Sequence, residues 1–203
     1  MCVIIIHKEM NSEGFTLIEL VTAIGLLAVA STMLVLVINP AEILREARDA
    51  RRVSDLKTMN EALEIYTLAV SRPNLGDCAK CWVQSDPQGQ LTVSANCGGR
   101  HGGQTAPQVN STSVNGSGWV PVNLTQISAG SPLVAWPTDP KSKGDFFYAY
   151  ACNPTNLTYE FTANLESKLY ATNEVVPEKS LERDDGGDQS DIYEVGTDRC
   201  LNL

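Results

Sequence analysis

The longest apolar run in the chain, Phe15 to Ile38, limits what the chain can become more than any other stretch. Its 24 residues carry a single charge, Glu19. A helix of about 20 apolar residues spans the hydrocarbon core of a bilayer, so this run is long enough to do so. A carboxylate in such a run costs roughly 2.5 kcal/mol or more where it sits deep in lipid. Either Glu19 is a tolerated acid near the interface of a simple anchor, or it has a cationic partner. The nearest cation that can be made is an α-amino group. A cut after Gly14 places one on Phe15, four residues from Glu19.

Gly14-Phe15-Thr16-Leu17-Ile18-Glu19, followed by an apolar helix, resembles the N-terminal motif of type IV pilins and of the pseudopilins of type II secretion systems. The resemblance implies a membrane-embedded prepilin peptidase that cuts after the glycine and N-methylates the new first residue. It also implies an assembly platform, and helices that leave the membrane to pack in a filament core. Carried over, Gly14 is the last leader residue, Phe15 the methylated N-terminus and Glu19 the acid used in assembly. The likeness runs through the helical stem to about Val70. It returns more weakly at Trp136-Pro137-Thr138-Asp139-Pro140 and Tyr193-Glu194-Val195-Gly196-Thr197.

The fold this implies is pilin-like α+β, a long N-terminal helix packed on a small antiparallel sheet. The expected divisions are a leader (1–14), a transmembrane or filament-core helix (15–38), an amphipathic stem (39–70) and a loop-rich β head (71–203). The leader departs from the family pattern, since cytoplasmic flanks are usually positive and here Lys8 is offset by Glu9 and Glu13. Val3-Ile4-Ile5-Ile6 is also unusually apolar, and a start at Met10 gives a shorter leader. The competing reading is an ordinary secretory signal cut after Ala28-Val29-Ala30. Its product would have to expose the apolar stretch Ser31 to Ile38.

Asn39-Pro40 either bends a helix or opens a new one. As one helix, Phe15 to Val70 would measure about 84 Å at 1.5 Å per residue. From Ala41, the residues Leu44, Ala47, Ala50, Val53, Leu56, Met59, Leu63, Tyr66 and Val70 recur at spacings of three and four. That spacing predicts one packing stripe. Arg45, Arg48, Arg51, Arg52, Asp49, Asp55 and Glu64 make a charged opposite face. Arg72-Pro73-Asn74-Leu75-Gly76 ends the helix.

In the head, Trp82-Val83-Gln84 and Leu91-Thr92-Val93 are expected to pair as a short hairpin, and Trp119 to Leu124 to form an edge strand interrupted by Pro121. Asp145 to Ala151 and Leu157 to Ala163 predict an antiparallel hairpin with aromatic cross-strand pairs. Leu165 to Tyr170 extends it or forms a helical turn, and Asp191 to Val195 reads as the last strand.

The net charge is −9, and residues 71–203 hold nine Lys/Arg against fifteen Asp/Glu. Nucleic-acid affinity rests largely on cations facing phosphates, so an acidic head argues against a nucleic-acid ligand. Nothing in the sequence resembles a nucleophile motif, a phosphate-binding glycine loop or a paired-carboxylate signature. No enzyme is expected.

Cys2 falls in the leader, leaving Cys78, Cys81, Cys97, Cys152 and Cys200. A head outside the cytoplasm favours disulfides. Cys152 closes one strand and Cys200 follows the last, so the expected bridge is Cys152–Cys200. Cys78, Cys81, Cys97 and His101 have the spacing of a Cys3His zinc site. The other reading is a loop disulfide from Cys97 to Cys78 or Cys81 with one thiol free. Asp184, Asp185, Asp188 and Asp191 surround Gly186-Gly187. They suit either a solvated acidic turn or a calcium loop, and the resemblance adds weight to calcium, which major pseudopilins often hold near the C-terminus.

The leading functional expectation is a filament subunit in the cytoplasmic membrane, single-pass, with its head outside the cytoplasm. Its partners are other pilin or pseudopilin subunits, prepilin peptidase and the assembly platform. The alternative is a membrane-anchored binding module, adhesin-like, that never polymerises.

Overall fold

The computed structural model describes residues 14–84, 107, 109–171 and 180–198, with backbone alone for residues 34–38. By internal contacts the chain divides into two units, Met1–Pro40 and Ala41–Leu203.

The first unit holds helix α1, Leu17–Ile38. Thr16 caps it with extended backbone, and its hydroxyl oxygen accepts the N–H of Glu19 at 3.3 Å. The helix stops at Asn39, which takes a left-handed conformation at φ 45°. Asparagine tolerates that region better than most residues. Helix α2, Pro40–Ala69, begins at the next residue. Proline suits a first helical turn, because its missing N–H would have no intrahelical acceptor there. Of the two readings offered for Asn39-Pro40, the structure has the second, a new helix opening at Pro40.

In the second unit α2 lies on a four-stranded antiparallel sheet in the order β1-β2-β3-β4. The strands are β1 Trp82–Val83, β2 Tyr148–Asn153, β3 Thr158–Ala163 and β4 Tyr193–Gly196. The fold is α+β. The predicted aromatic hairpin forms, with Tyr148 opposite Ala163, Tyr150 opposite Phe161 and Cys152 opposite Tyr159. Those six residues share one sheet face because strand side chains alternate. Leu56, Met59, Leu63 and Tyr66 of α2 join them in one buried cluster. Phe161 sits at its centre, with ring centroids of Tyr150 at 5.1 Å, Tyr159 at 5.9 Å, Trp119 at 6.4 Å and Trp136 at 6.5 Å. Each fully buried side chain of this size contributes about 1.5–3 kcal/mol from removed apolar area. The phenol hydroxyls are satisfied as well. Tyr159 donates to the Asn60 carbonyl at 3.1 Å and Tyr150 to the Leu75 carbonyl at 2.9 Å.

Three expectations change. Strand β1 forms, but it pairs with β2, Trp82 opposite Tyr150, while Leu91 to Val93 lie outside the described residues. Trp119 to Leu124 is no strand: it is an irregular segment that buries Trp119, Val120, Val122 and Leu124 and leads into a 3-10 turn at Leu124–Gln126. The third change is on α2. Its C-terminal half packs through the predicted stripe, but in its N-terminal half Asp49 and Arg52 are buried while Leu44, Ala47 and Ala50 are exposed. The face turned to the domain changes from ionic to apolar along the helix. Between the two readings offered for Leu165 to Tyr170, the structure has a turn, closed by the Ala171 N–H on the Ser167 carbonyl at 2.9 Å.

Candidate functional site

Two regions concentrate chemistry: the start of α1 and an ionic cluster on α2. At the first, Gly14, Phe15 and Thr16 precede α1 without regular structure. Glu19 is the third residue of the helix. Thr16-x-x-Glu19 is the residue pattern of a capping box, a local signal that the apolar run hides in the sequence. A carboxylate in the first turn also meets the positive end of the helix dipole. The side chains of the segment point outward all round, with Phe15 74%, Leu17 81% and Ile18 71% exposed. The hydroxyls of α1 behave differently. Thr22 donates to the Glu19 carbonyl at 3.0 Å, Ser31 to Leu27 at 2.7 Å and Thr32 to Ala28 at 2.9 Å. Each satisfies itself within its own helix. Among the described residues no helix is long and apolar enough to cross a membrane. The described side chains of α1 end at Met33, five residues before the helix does.

The second region centres on Arg52. Its guanidinium is fully buried and donates to Asp139 through Nε and, at 3.1 Å, through Nη2. Nη1 donates to Asp49 at 2.6 Å and to Glu166 at 3.0 Å. Glu166 also accepts from Arg48 and from Lys141 Nζ, the latter at 2.9 Å. Burial by itself would raise the Glu166 pKa, but hydrogen bonds from Arg48, Lys141 and Arg52 outweigh it and hold it at about 2. Asp49 turns its other lone pairs to the backbone, accepting the N–H of Ser167 at 2.7 Å and of Glu166 at 3.1 Å. Asp139 accepts the N–H groups of Lys141 at 2.7 Å and Ser142 at 3.0 Å. Its own N–H donates to Gln84 Oε1 at 2.7 Å. One helix is thereby fastened to the 139–142 loop, the 166–168 turn and the end of β1. Asp139 ties the segment Trp136 to Pro140 into this clamp. The cluster organises the fold and offers no reacting group. Sequence reasoning assigned Arg52 and Asp49 to the charged face opposite the packing stripe; their spacing of three was the available signal.

The cysteines are paired differently from expectation. Cys152 is bonded to Cys78, with a Cα–Cα distance of 4.9 Å, and not to Cys200. The inward face of β2 carries Cys152 to the chain leaving α2, so Cys78 is its neighbour in space. Cys81 is disulfide-bonded as well. The thiolates that a Cys3His zinc ion would take from Cys78 and Cys81 are therefore consumed. Cys97, Cys200 and both histidines, His7 and His101, lie outside the described residues.

The four aspartates near the C-terminus do not gather round a common point. Among the described residues no three His, Cys, Asp or Glu side chains form a group that could hold a metal ion. Asp185 spends its carboxylate on the backbone, accepting the Gly187 N–H at 2.8 Å and the Glu194 N–H at 2.6 Å. Asp184 ends the short helix α3, Leu181–Asp184.

No family model, curated protein or solved structure matches this chain.

Proposed function

We propose that the chain is a structural subunit of a filament of the type IV pilus or type II secretion pseudopilus kind. In this reading residues 15–38 sit in the cytoplasmic membrane before assembly and in the filament core after it, while the head stays outside the cytoplasm. Prepilin peptidase cuts after Gly14 and methylates Phe15. Other subunits and the assembly platform are the partners.

One observation carries the reading: an outward-facing apolar helix, opened by Gly14-Phe15, with Glu19 its only charge. A helix apolar on every side needs lipid or other protein around it. The head's disulfides suit an oxidising compartment. Within a low-dielectric core an isolated carboxylate is costly. The α-amino group of a neighbouring subunit's Phe15 would offset it, and that pairing would help fix the register between helices.

Mass spectrometry of the mature chain tests this. It should begin at N-methylated Phe15, and Gly14→Val should leave the precursor uncut. A mature start at Ser31 would establish an exported protein without a filament helix. Retention of residues before Phe15 would remove the processing step on which the reading depends.

A further inference from the structure

The sheet face turned away from α2 carries two glutamates. On β3 it is Glu160, on β4 Glu194. Thr162 lies opposite Glu194 and Glu160 opposite Gly196, so the two glutamates are diagonal neighbours on one face. Diagonal pairs are within reach of long side chains. They are 0% and 1% exposed, and their carboxyl groups come within hydrogen-bonding reach of each other. Among the described residues neither oxygen of Glu160 meets an N–H or O–H donor, nor does Oε1 of Glu194. Glu160 has only Gly196 on one side and the buried Ala151 on the other. No ion pair among the described residues reaches either carboxyl.

A loop lies over the pair. Glu194 Oε2 accepts the N–H of Gln189 at 3.0 Å, and a Cβ added at Gly187 would stand 1.8 Å from that same oxygen. Glycine is what lets the loop backbone settle on the carboxyl. Among the described residues, the charged groups bearing most on the pair are Asp185 and Asp188 from the loop and Asp198 just beyond β4, all acids. On the α2 side of β4, Asn60, Glu64 and Leu181 line a cleft of about 380 Å³ whose wall also includes Asp185 and Glu194.

We propose that Glu160 and Glu194 hold one proton between them, and that this proton latches the 185–190 loop to the back of the sheet. With it, the two carboxyls form a hydrogen bond and the loop docks on a single negative charge. Without it, two like charges stand side by side in a poorly solvated site, beside three more acids. Repulsion at that range is strong when water is excluded. The latch therefore holds in acid and loosens as the pH rises.

Burial, the hydrogen bond to Glu194 and then the neighbouring acids raise Glu160 to about 9, and burial raises Glu194 also. Since the folded state keeps a proton that the unfolded chain gives up near the ordinary glutamate pKa of about 4.3, stability falls from there up to the folded pKa.

The test uses the full chain in detergent, with 13C-labelled glutamate carboxyls. One glutamate signal should titrate on the alkaline side of neutral in the wild type. Amide exchange at Gly187, Gln189 and Glu194, corrected for intrinsic rate, should show opening rise by at least about tenfold from pH 5.5 to pH 8.5. Glu160→Gln should keep the loop equally closed at both. Glu194→Gln provides a second variant if the first does not fold, with the remaining carboxyl then titrating lower than before. Glutamates that all titrate in the ordinary range, or loop opening indifferent to pH, would overturn the latch. So would protection that depends on calcium and vanishes in chelator at pH 5.5, which would make the pair a cation site.

Discussion

Arg52 on α2 grips Asp139 in the 139–142 loop through two parallel hydrogen bonds, with both side chains fully buried. The two residues are 87 positions apart, so this pairing joins the stem to the head. Burying two ions costs more than their attraction alone returns unless further donors and acceptors complete each group. Here Asp49 and Glu166 complete the guanidinium, and the Lys141 and Ser142 N–H groups complete the carboxylate. The arrangement fixes the rotational setting of α2 on the domain.

Arg52→Met leaves Asp139 and Asp49 buried with one cation fewer. Loss of one partner of a buried pair costs about 3–5 kcal/mol. Urea unfolding should show that loss, and Asp139→Asn should cost less because the amide still accepts one hydrogen bond. An Arg52→Met chain as stable as the wild type would mean that packing alone sets the helix.

Acid should loosen the same clamp. Glu166 is held at about 2, below its ordinary value, so the folded state prefers it ionised. Its stabilising contribution is present above about 4.3 and is lost as the pH falls towards 2. Glu166→Gln should lower the midpoint of unfolding at pH 7 and shrink the difference between pH 7 and pH 3. With the opposite trend at Glu160, thermal scans should place the stability maximum on the acid side of neutral. A maximum above pH 8 would contradict the Glu160 assignment, and no loss of stability from pH 5 to pH 3 would contradict that of Glu166.

Cys78–Cys152 closes a loop of 74 residues. Chain-entropy arguments put the benefit of such a closure at about 4 kcal/mol. Non-reducing peptide mapping should recover the Cys78–Cys152 peptide. The double variant Cys78→Ala/Cys152→Ala should melt lower without leaving a new free thiol. A Cys152–Cys200 peptide in its place would overturn the connectivity.

Regular, periodic segments were legible in the sequence and singular contacts were not. Tyr148 to Ala163 could be read because aromatics alternating on two strands have one economical solution, a hairpin. The stripe Leu56, Met59, Leu63, Tyr66 likewise has only one helical face. Asp49 and Arg52 were misplaced because charge normally marks the solvent side, and only distant partners, Asp139 and Glu166, reverse that rule. Trp119 to Leu124 resembled a strand because it alternates large apolar residues, yet it buries them from an irregular backbone. The cysteine pairing depends on which segments meet after folding, and spacing along the chain carries no such information. Glu160 and Glu194 were hidden for a related reason: alternation predicts polar residues on the outward face, and the 185–190 loop that covers that face is recognisable only in three dimensions.

The last prediction concerns Glu19. It has two roles to separate, a cap for α1 and a counter-charge for a neighbouring Phe15. The cap is local: the Thr16 hydroxyl already accepts the Glu19 N–H, and that contact uses the backbone of Glu19 and not its side chain. Glu19→Gln preserves a capping-box residue while removing the charge. Glu19→Ala removes both, and the helix-end interactions lost are worth typically 0.3–1 kcal/mol each. If capping is the role, Glu19→Gln should assemble as the wild type does, with Glu19→Ala slightly impaired. If charge pairing is the role, both variants should be cleaved after Gly14 and inserted, and both should fail to give filaments on shearing. The second pattern is the one expected here, because an unpaired amine in an apolar core costs far more than a lost cap. Filaments at wild-type yield from Glu19→Gln would reduce Glu19 to a helix cap.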